Sequence, residues 1–347
     1  MTAATQATAA DERVSRQSTL TRVLRRPEVG ALVAAVAVFV FFAVQTEVFA
    51  TANGASTWLR SASTIGIMAV AVAMLMIGGE FDLSAGAMTG FTGLAVGVMT
   101  THWGLPIWLA ILISLLLALA LGVANGVMVI RTGLPSFIVT LGTFFVLQGV
   151  DVALTKAITG DVAIQGMSLV PQYDQPHAVF GSALDVNGGS LYVSVLWWIV
   201  VTAVATWVLL RTRAGNWIFA VGGAQTSSRQ VGVPVARTKI ALFCTTAGAG
   251  WLVGMLLLFT TSTVQSNTGI GQEFIYIICA VVGGCLLTGG YGSAVGAALG
   301  ALIYGMTNQG IVYAGWDNNW LKAFLGVMLL LAVLLNEWVR KRAELAR

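Results

Sequence analysis

The sequence predicts an all-α fold, a polytopic bundle of helices crossing a membrane about ten times, and three observations predict it. The 347-residue chain is 57% apolar and only 9% charged, with a mean hydropathy of +0.85. Soluble domains carry about 25% charged residues, so this composition cannot cover a water-facing surface, and a soluble enzyme is excluded. The apolar residues are gathered in runs such as Val29–Val44, Leu105–Ile130 and Val193–Leu210, and about 20 helical residues cross a hydrocarbon core of about 30 Å. The runs do not alternate apolar with polar residues, which excludes a transmembrane β-barrel.

Residues 1–28 read as a cytoplasmic arm. They are polar and basic up to Arg26, and the apolar run that follows is too long for the core of a cleavable signal and lacks an A-x-A boundary. Ten segments then qualify as spans, at about 29–50, 62–79, 84–101, 106–130, 134–155, 191–210, 239–262, 274–288, 292–313 and 319–336. Several are short, so the expected count is 8–10 spans within a transmembrane domain over 29–338, followed by a cytoplasmic tail over 339–347.

Charge sets the orientation. With both termini inside, Arg13, Arg16, Arg22, Arg25, Arg26, Arg131, Arg211, Arg213, Arg229, Arg237, Lys239, Arg340, Lys341, Arg342 and Arg347 fall on the cytoplasmic side. Only Arg60, Lys156 and Lys322 fall outside, the asymmetry expected of an N-in, C-in protein. Two connections are large. The outer one, about 156–190, holds Asp161, Pro171, Asp174, Pro176 and Asp185; it is expected to be a solvated connection, to fold on the outer face, or to receive a soluble partner. The inner one, about 211–238, has no acidic residue, and its positive charge suits an acidic partner surface or lipid head groups.

Forty glycines exceed the average of about 7%. Small residues allow close helix approach in lipid, and Gly86-x-x-x-Gly90, Gly122-x-x-x-Gly126, Gly250-x-x-x-Gly254 and Gly292-x-x-x-Gly296-x-x-x-Gly300 fit that use. An internal repeat also shows: Gly78, Gly86, Gly90 and Gly104 align with Gly284, Gly292, Gly296 and Gly310. In both places a glycine pair interrupts an apolar run, in the same direction across the membrane, and paired interruptions point to a transport pathway.

Within the first interruption, Glu80 and Asp82 are the only acidic residues between Glu47 and Asp151. Asp82 or Ser84 is expected to cap the next helix; the alternative is that Glu80 and Asp82 bind protons or ions, as in a secondary transporter. Further intramembrane polar residues are Asn125, Ser136, Thr140, Thr143, Gln148, Thr245, Thr246, Asn308 and Gln309. No spacing among them forms a hydrolase or metalloenzyme motif, and the absence of G-x-x-x-x-G-K-[ST] places any ATP on another chain. Cys244, Cys279 and Cys285, with His102 and His177, have no metal-ligand or disulfide spacing.

Four stretches together resemble the ribose/xylose type of permease subunit from bacterial ABC sugar importers, within the superfamily that includes branched-chain amino-acid permeases. They are Gly78-Gly-Glu-Phe-Asp-Leu-Ser-Ala-Gly86; Leu134-Pro-Ser-Phe-Ile-Val-Thr-Leu-Gly-Thr143 with Gln148-Gly149; Trp217–Ala224 continuing through Arg229–Val235; and Val282-Gly-Gly284 with Gly289–Gly296. The resemblance covers about residues 30–338. It implies a monosaccharide or related polyol as substrate, with an amino acid or nucleoside as the competing class, moved by alternating access in a bacterial cytoplasmic membrane. It implies three partners: a second permease copy, a cytoplasmic ABC ATPase that binds the ATP and magnesium this chain does not, and an extracytoplasmic sugar-binding protein. Membrane lipid surrounds the chain, and no nucleic acid is expected. The inner connection matches the family's coupling region, which assigns Gly222, Gly223, Gln225, Thr226, Ser227, Ser228, Arg229 and Gly232 to force transmission. Ala224-Gln225 and Ser227-Ser228 stand where the family pattern has an asparagine and an Ala-Ala pair. Asp82, Ser84, Asn125, Ser136, Phe137, Thr140 and Asn308 are the candidates for the substrate pathway.

Overall fold

The computed structural model describes residues 27–186 and 188–345, with side chains over 28–334. The arm that carries Arg13, Arg16, Arg22, Arg25 and Arg26 lies outside the described residues, as does Arg347. Each of the ten anticipated segments is occupied by one helix. These are α1 (Pro27–Gln45), α2 (Ala52–Ile77), α3 (Ala85–Thr101), α4 (Ile107–Thr132), α5 (Ser136–Thr159), α6 (Val193–Arg211), α9 (Val235–Thr261), α10 (Gln272–Val282), α11 (Ala294–Tyr313) and α12 (Trp320–Leu345). Two shorter helices, α7 (Arg213–Gly223) and α8 (Gln225–Gln230), fill the inner connection. Seven of the helices, α1, α2, α4, α5, α6, α9 and α11, are long and apolar enough to cross a membrane. At 11 residues, α10 rises only about 16 Å. The segment expected over 274–288 is thus a half-helix, ended by Gly283 and by Gly284 at φ +92°.

Local chemistry sets the helix ends. Thr51 starts α2 by accepting a bond from the Gly54 amide, ten residues before the span expected from hydropathy. Gly133 and Gly160, both left-handed, close α4 and α5. Pro135 stands at the N-cap of α5.

The centre of the bundle is α2, buried on every side from Ile65 to Ile77, as a helix that is apolar all round must be. Packed around it are α6, α9, α10 and α11, and α9 also packs on α3 and α4. Gly122 and Gly126 seat α4 against α9: a Cβ on Gly122 would stand 2.8 Å from the Phe243 carbonyl oxygen, and one on Gly126 2.9 Å from the Ile240 Cα. On the other flank, α1 closes over α11 through Ala35, Phe42, Phe49, Ile303, Met306 and Ile311.

The connection at 156–190 is a folded layer rather than a solvated loop. Its strand β1 (Ala163–Ile164) pairs antiparallel with β4 (Val264–Gln265), and β2 (Ala183–Val186) pairs with β3 (Gly189–Tyr192). Between the pairs, a helical turn over 174–181 rests on the end of α9, where the Tyr173 hydroxyl donates to the Phe259 carbonyl at 2.9 Å and lies 2.6 Å from Ser262 Oγ. This layer and helix α8 sit at the two ends of α9, whose 27 residues rise about 40 Å.

Candidate functional site

Both glycine interruptions end their helices in the same way. The C-cap of α2 is Gly78 (φ −71°), followed by Gly79 (φ +81°), with the Glu80 amide donating to the Leu75 carbonyl at 3.2 Å. The C-cap of α10 is Gly283 (φ −70°), followed by Gly284 (φ +92°), with the Cys285 amide donating to the Ala280 carbonyl at 3.0 Å. Each is a Schellman motif. The structural equivalent of Gly78 is therefore Gly283 and not Gly284, so the repeat read from the sequence is out of register by one. Gly86 lies inside α3 whereas Gly292 precedes α11, so its later pairings do not hold either.

The two interruptions meet each other, and α7 meets both. Thr212 caps α7 by accepting from the Gly215 amide at 3.2 Å, and α7 buries Ile218 and Val221. That seating carries its last residues, Gly222 and Gly223, onto the end of α2 and onto Gly289-Gly290 in the segment that follows α10. The Gly290 amide donates to the Ile77 carbonyl at 2.8 Å. A Cβ on Gly222 would overlap that same carbonyl and lie 2.7 Å from the Gly290 nitrogen; one on Gly290 would lie 2.7 Å from the Gly223 Cα. The three pairs Gly78-Gly79, Gly222-Gly223 and Gly289-Gly290 thus touch backbone to backbone, and no flexible side chain lies between them to absorb a displacement.

From this junction, residues 80–82 run without regular structure into a turn at 83–84, between α5 and α9, and their contacts alternate. The amides of Phe81 and Leu83 donate to Ser136 Oγ (2.9 Å) and Thr140 Oγ1 (3.0 Å), one turn apart on α5. Glu80 and Asp82 turn to α9. Glu80 forms an ion pair with Lys239, both side chains being more than nine-tenths buried, and Thr246 Oγ1 donates to Asp82 Oδ2 at 2.8 Å. Asp82 Oδ1 also accepts from the Ser84 amide (2.9 Å) and hydroxyl (2.6 Å). The Asn125 amide donates to Ser84 Oγ at 3.1 Å, and Thr143 donates to Asn125 Oδ1 at 2.6 Å.

Five of the seven pathway candidates, Asp82, Ser84, Asn125, Ser136 and Thr140, therefore come together, as a buried knot whose groups bond to one another. Phe137 does not join them: it is half exposed on the outside of α5. Asn308 is elsewhere, donating to Ser61 Oγ at 3.2 Å between α11 and α2. Of the expected caps it is Asp82 that acts, through the Ser84 amide, while Ser84 makes no cap bond itself. As for Glu80 as a proton or ion site, its carboxylate is already engaged by Lys239. Lys239 and Thr246 are the residues sequence reasoning missed. They stand seven apart on α9, a spacing that returns to one helix face, and that spacing was the available signal.

In the inner connection, Gln225 is half-buried and its Oε1 accepts from Lys239 Nζ at 2.9 Å. Ser228 is buried and folds α8 back on α7, donating to the carbonyls of Ala220 (2.7 Å) and Ala224 (2.8 Å). Thr226, Ser227 and Arg229 face outward, and Gly232 takes φ +83° in the turn that leads to α9.

The family described as "Branched-chain amino acid transport system / permease component" matches residues 54–333. Among curated proteins, the chain is 30% identical to the probable ABC transporter permease protein YphD of Escherichia coli K12, covering 92% of each chain. It is 30% identical to the autoinducer 2 import system permease protein LsrD of Photorhabdus luminescens over 78% of each. Against the xylose transport system permease protein XylH of Escherichia coli K12 the identity is 28%, over 90% of this chain and 92% of that one. No solved structure matches. The match to nearly the whole helical bundle, broken helices included, places the chain in a multi-pass cytoplasmic membrane: it belongs to the branched-chain amino acid transport system / permease component family of ABC transporters.

Proposed function

We propose that this chain is the permease subunit of an ABC importer that carries a monosaccharide or related polyol inward by alternating access. Two copies form one pathway, each with ten membrane helices and both termini inside. A separate ATPase binds ATP and magnesium, and an extracytoplasmic binding protein delivers the sugar to the layer formed by 156–190 and the turn over 263–272. The observation that carries the reading is the glycine junction: the connection that presents the exposed surface of α8 ends, through α7, directly on both helix interruptions. A push on α8 then reaches the bundle through backbone contacts. The sugar class is supported by relatives named for the transport of xylose and of fructose.

The test is reconstitution of the chain in proteoliposomes with its partner ATPase and binding protein, using a panel of labelled pentoses, hexoses and polyols. Uptake of one of them is expected only with the binding protein and hydrolysable ATP. Uptake that ignores the ATPase and collapses with a protonophore would replace this reading with a secondary transporter. ATP-dependent uptake of amino acids or nucleosides alone would overturn the sugar class.

A further inference from the structure

Lys239 sits in the second turn of α9 and is 7% exposed, an expensive place for an ammonium unless its charge is met and its protons are used. Two groups from different parts of the chain meet it. One is the carboxylate of Glu80, the first residue after the Gly78-Gly79 interruption; the other is the side-chain carbonyl of Gln225, the first residue of α8. The ammonium therefore joins α8, α9 and the 80–84 segment at one point. No other side-chain hydrogen bond or ion pair among the described residues ties α8 to the bundle outside α7, since Ser228 bonds only to Ala220 and Ala224. Along 80–84 the connection continues: Phe81 and Leu83 are held by α5, Asp82 by Thr246 of α9, and Ser84 by Asn125 of α4.

We propose that Lys239 is a positioning residue for coupling, a charged link that passes displacement of α8 to the 80–84 segment and through it to α4 and α5. The link is separate from the glycine junction, which connects α7 by backbone contact. It rests on the reading of the chain as an ABC permease and adds the residues by which α8 would act. Its chemistry suits the task. A buried ammonium stays with its carboxylate because separating them strands two charges, so Glu80 moves with Lys239. The bond to the half-buried Gln225 has an uncharged acceptor, so breaking it separates no pair of opposite charges, and it is the easier one to break or re-form as α8 shifts.

The experiment compares wild type, Lys239→Met, Gln225→Ala and the exchange Glu80→Lys/Lys239→Glu in proteoliposomes with the partner ATPase and binding protein. It records ATP hydrolysed and sugar imported, using whichever panel sugar the wild type carries, and measures ATPase retention on the purified permease. The ratio of sugar imported to ATP hydrolysed is expected to fall by about tenfold in Lys239→Met and by a few-fold in Gln225→Ala, with ATPase retention unchanged, the range for residues that modulate coupling. The exchange is expected to recover most of the ratio. Gln225 is half-buried, so its variant reports even where Lys239→Met fails to fold. A wild-type ratio in Gln225→Ala, or in a folded Lys239→Met, would overturn the link. A wild-type complex with no ATP-driven uptake would instead overturn the permease reading beneath it.

Discussion

Gly222 shows what one missing methyl group permits. Its Cα is wedged between the Ile77 carbonyl and the Gly290 amide, two groups that also bond to each other at 2.8 Å. Backbone on both sides cannot swing aside as a side-chain tip would, so Gly222→Ala must push α7 off the end of α2 and off Gly290. Gly232 is the comparison: it has open space around it and a left-handed φ of +83°, so alanine there costs about 1–2 kcal/mol of backbone strain without a clash. The expected outcome is ATP-driven uptake reduced at least about tenfold in Gly222→Ala, the scale of a lost coupling term, with membrane insertion and yield retained. Gly232→Ala should keep most uptake and lose only local stability; equal uptake in the two variants would contradict the junction. The sequence showed Gly222 as half of a glycine pair matching a family pattern. It could not show the clasp, because Ile77 and Gly290 lie far along the chain on either side.

Among the elements, hydropathy located each of the seven described helices long and apolar enough to cross a membrane but misjudged where some helices begin and end. The first ten residues of α2, Ala52–Ser61, contain two serines, a threonine, an asparagine and Arg60 and look like loop. They are helical because their polar groups find partners in a hairpin about 130 residues away. Ser56 Oγ donates to the Ser190 carbonyl, and the Arg60 guanidinium lies 4.5 Å from the centre of the Tyr192 ring. The opposite error at α10 came from counting apolar residues through Gly283-Gly284, where left-handed backbone ends the helix whatever the hydropathy. Helix α8 was legible as part of a basic connection, but not its division of labour: Ser228 faces inward as an anchor while Thr226, Ser227 and Arg229 face outward. An outward arginine at a subunit contact acts on association. Arg229→Glu is expected to lower the amount of ATPase copurifying with the permease and to uncouple its hydrolysis from uptake, with membrane insertion intact. Undiminished copurification and uptake would remove α8 from the contact.

At the scale of the whole molecule, an extreme composition indicated a membrane protein, and the few charges indicated how it lies in the membrane. The structure adds a geometric constraint to that inference. The layer containing β1 and β4 and the helix α8 are attached to opposite ends of α9, about 40 Å apart along its axis, and α9 is long and apolar enough to cross the membrane. The two features must therefore lie on opposite sides, so a single orientation measurement assigns both. Leu169, in the layer, is 87% exposed, and Arg229 is exposed on α8. The native cysteines leave little background: Cys279 and Cys285 are buried and Cys244 is only half-exposed against α4. With both termini inside, as the basic residues predict, Leu169→Cys should react with a membrane-impermeant maleimide on intact cells, and Arg229→Cys only after permeabilisation. The reverse pattern would invert the bundle and put α8 on the side without ATP. Labelling of both in intact cells would mean that α9 does not span, which its apolar length and its buried contacts with α2, α3 and α4 argue against.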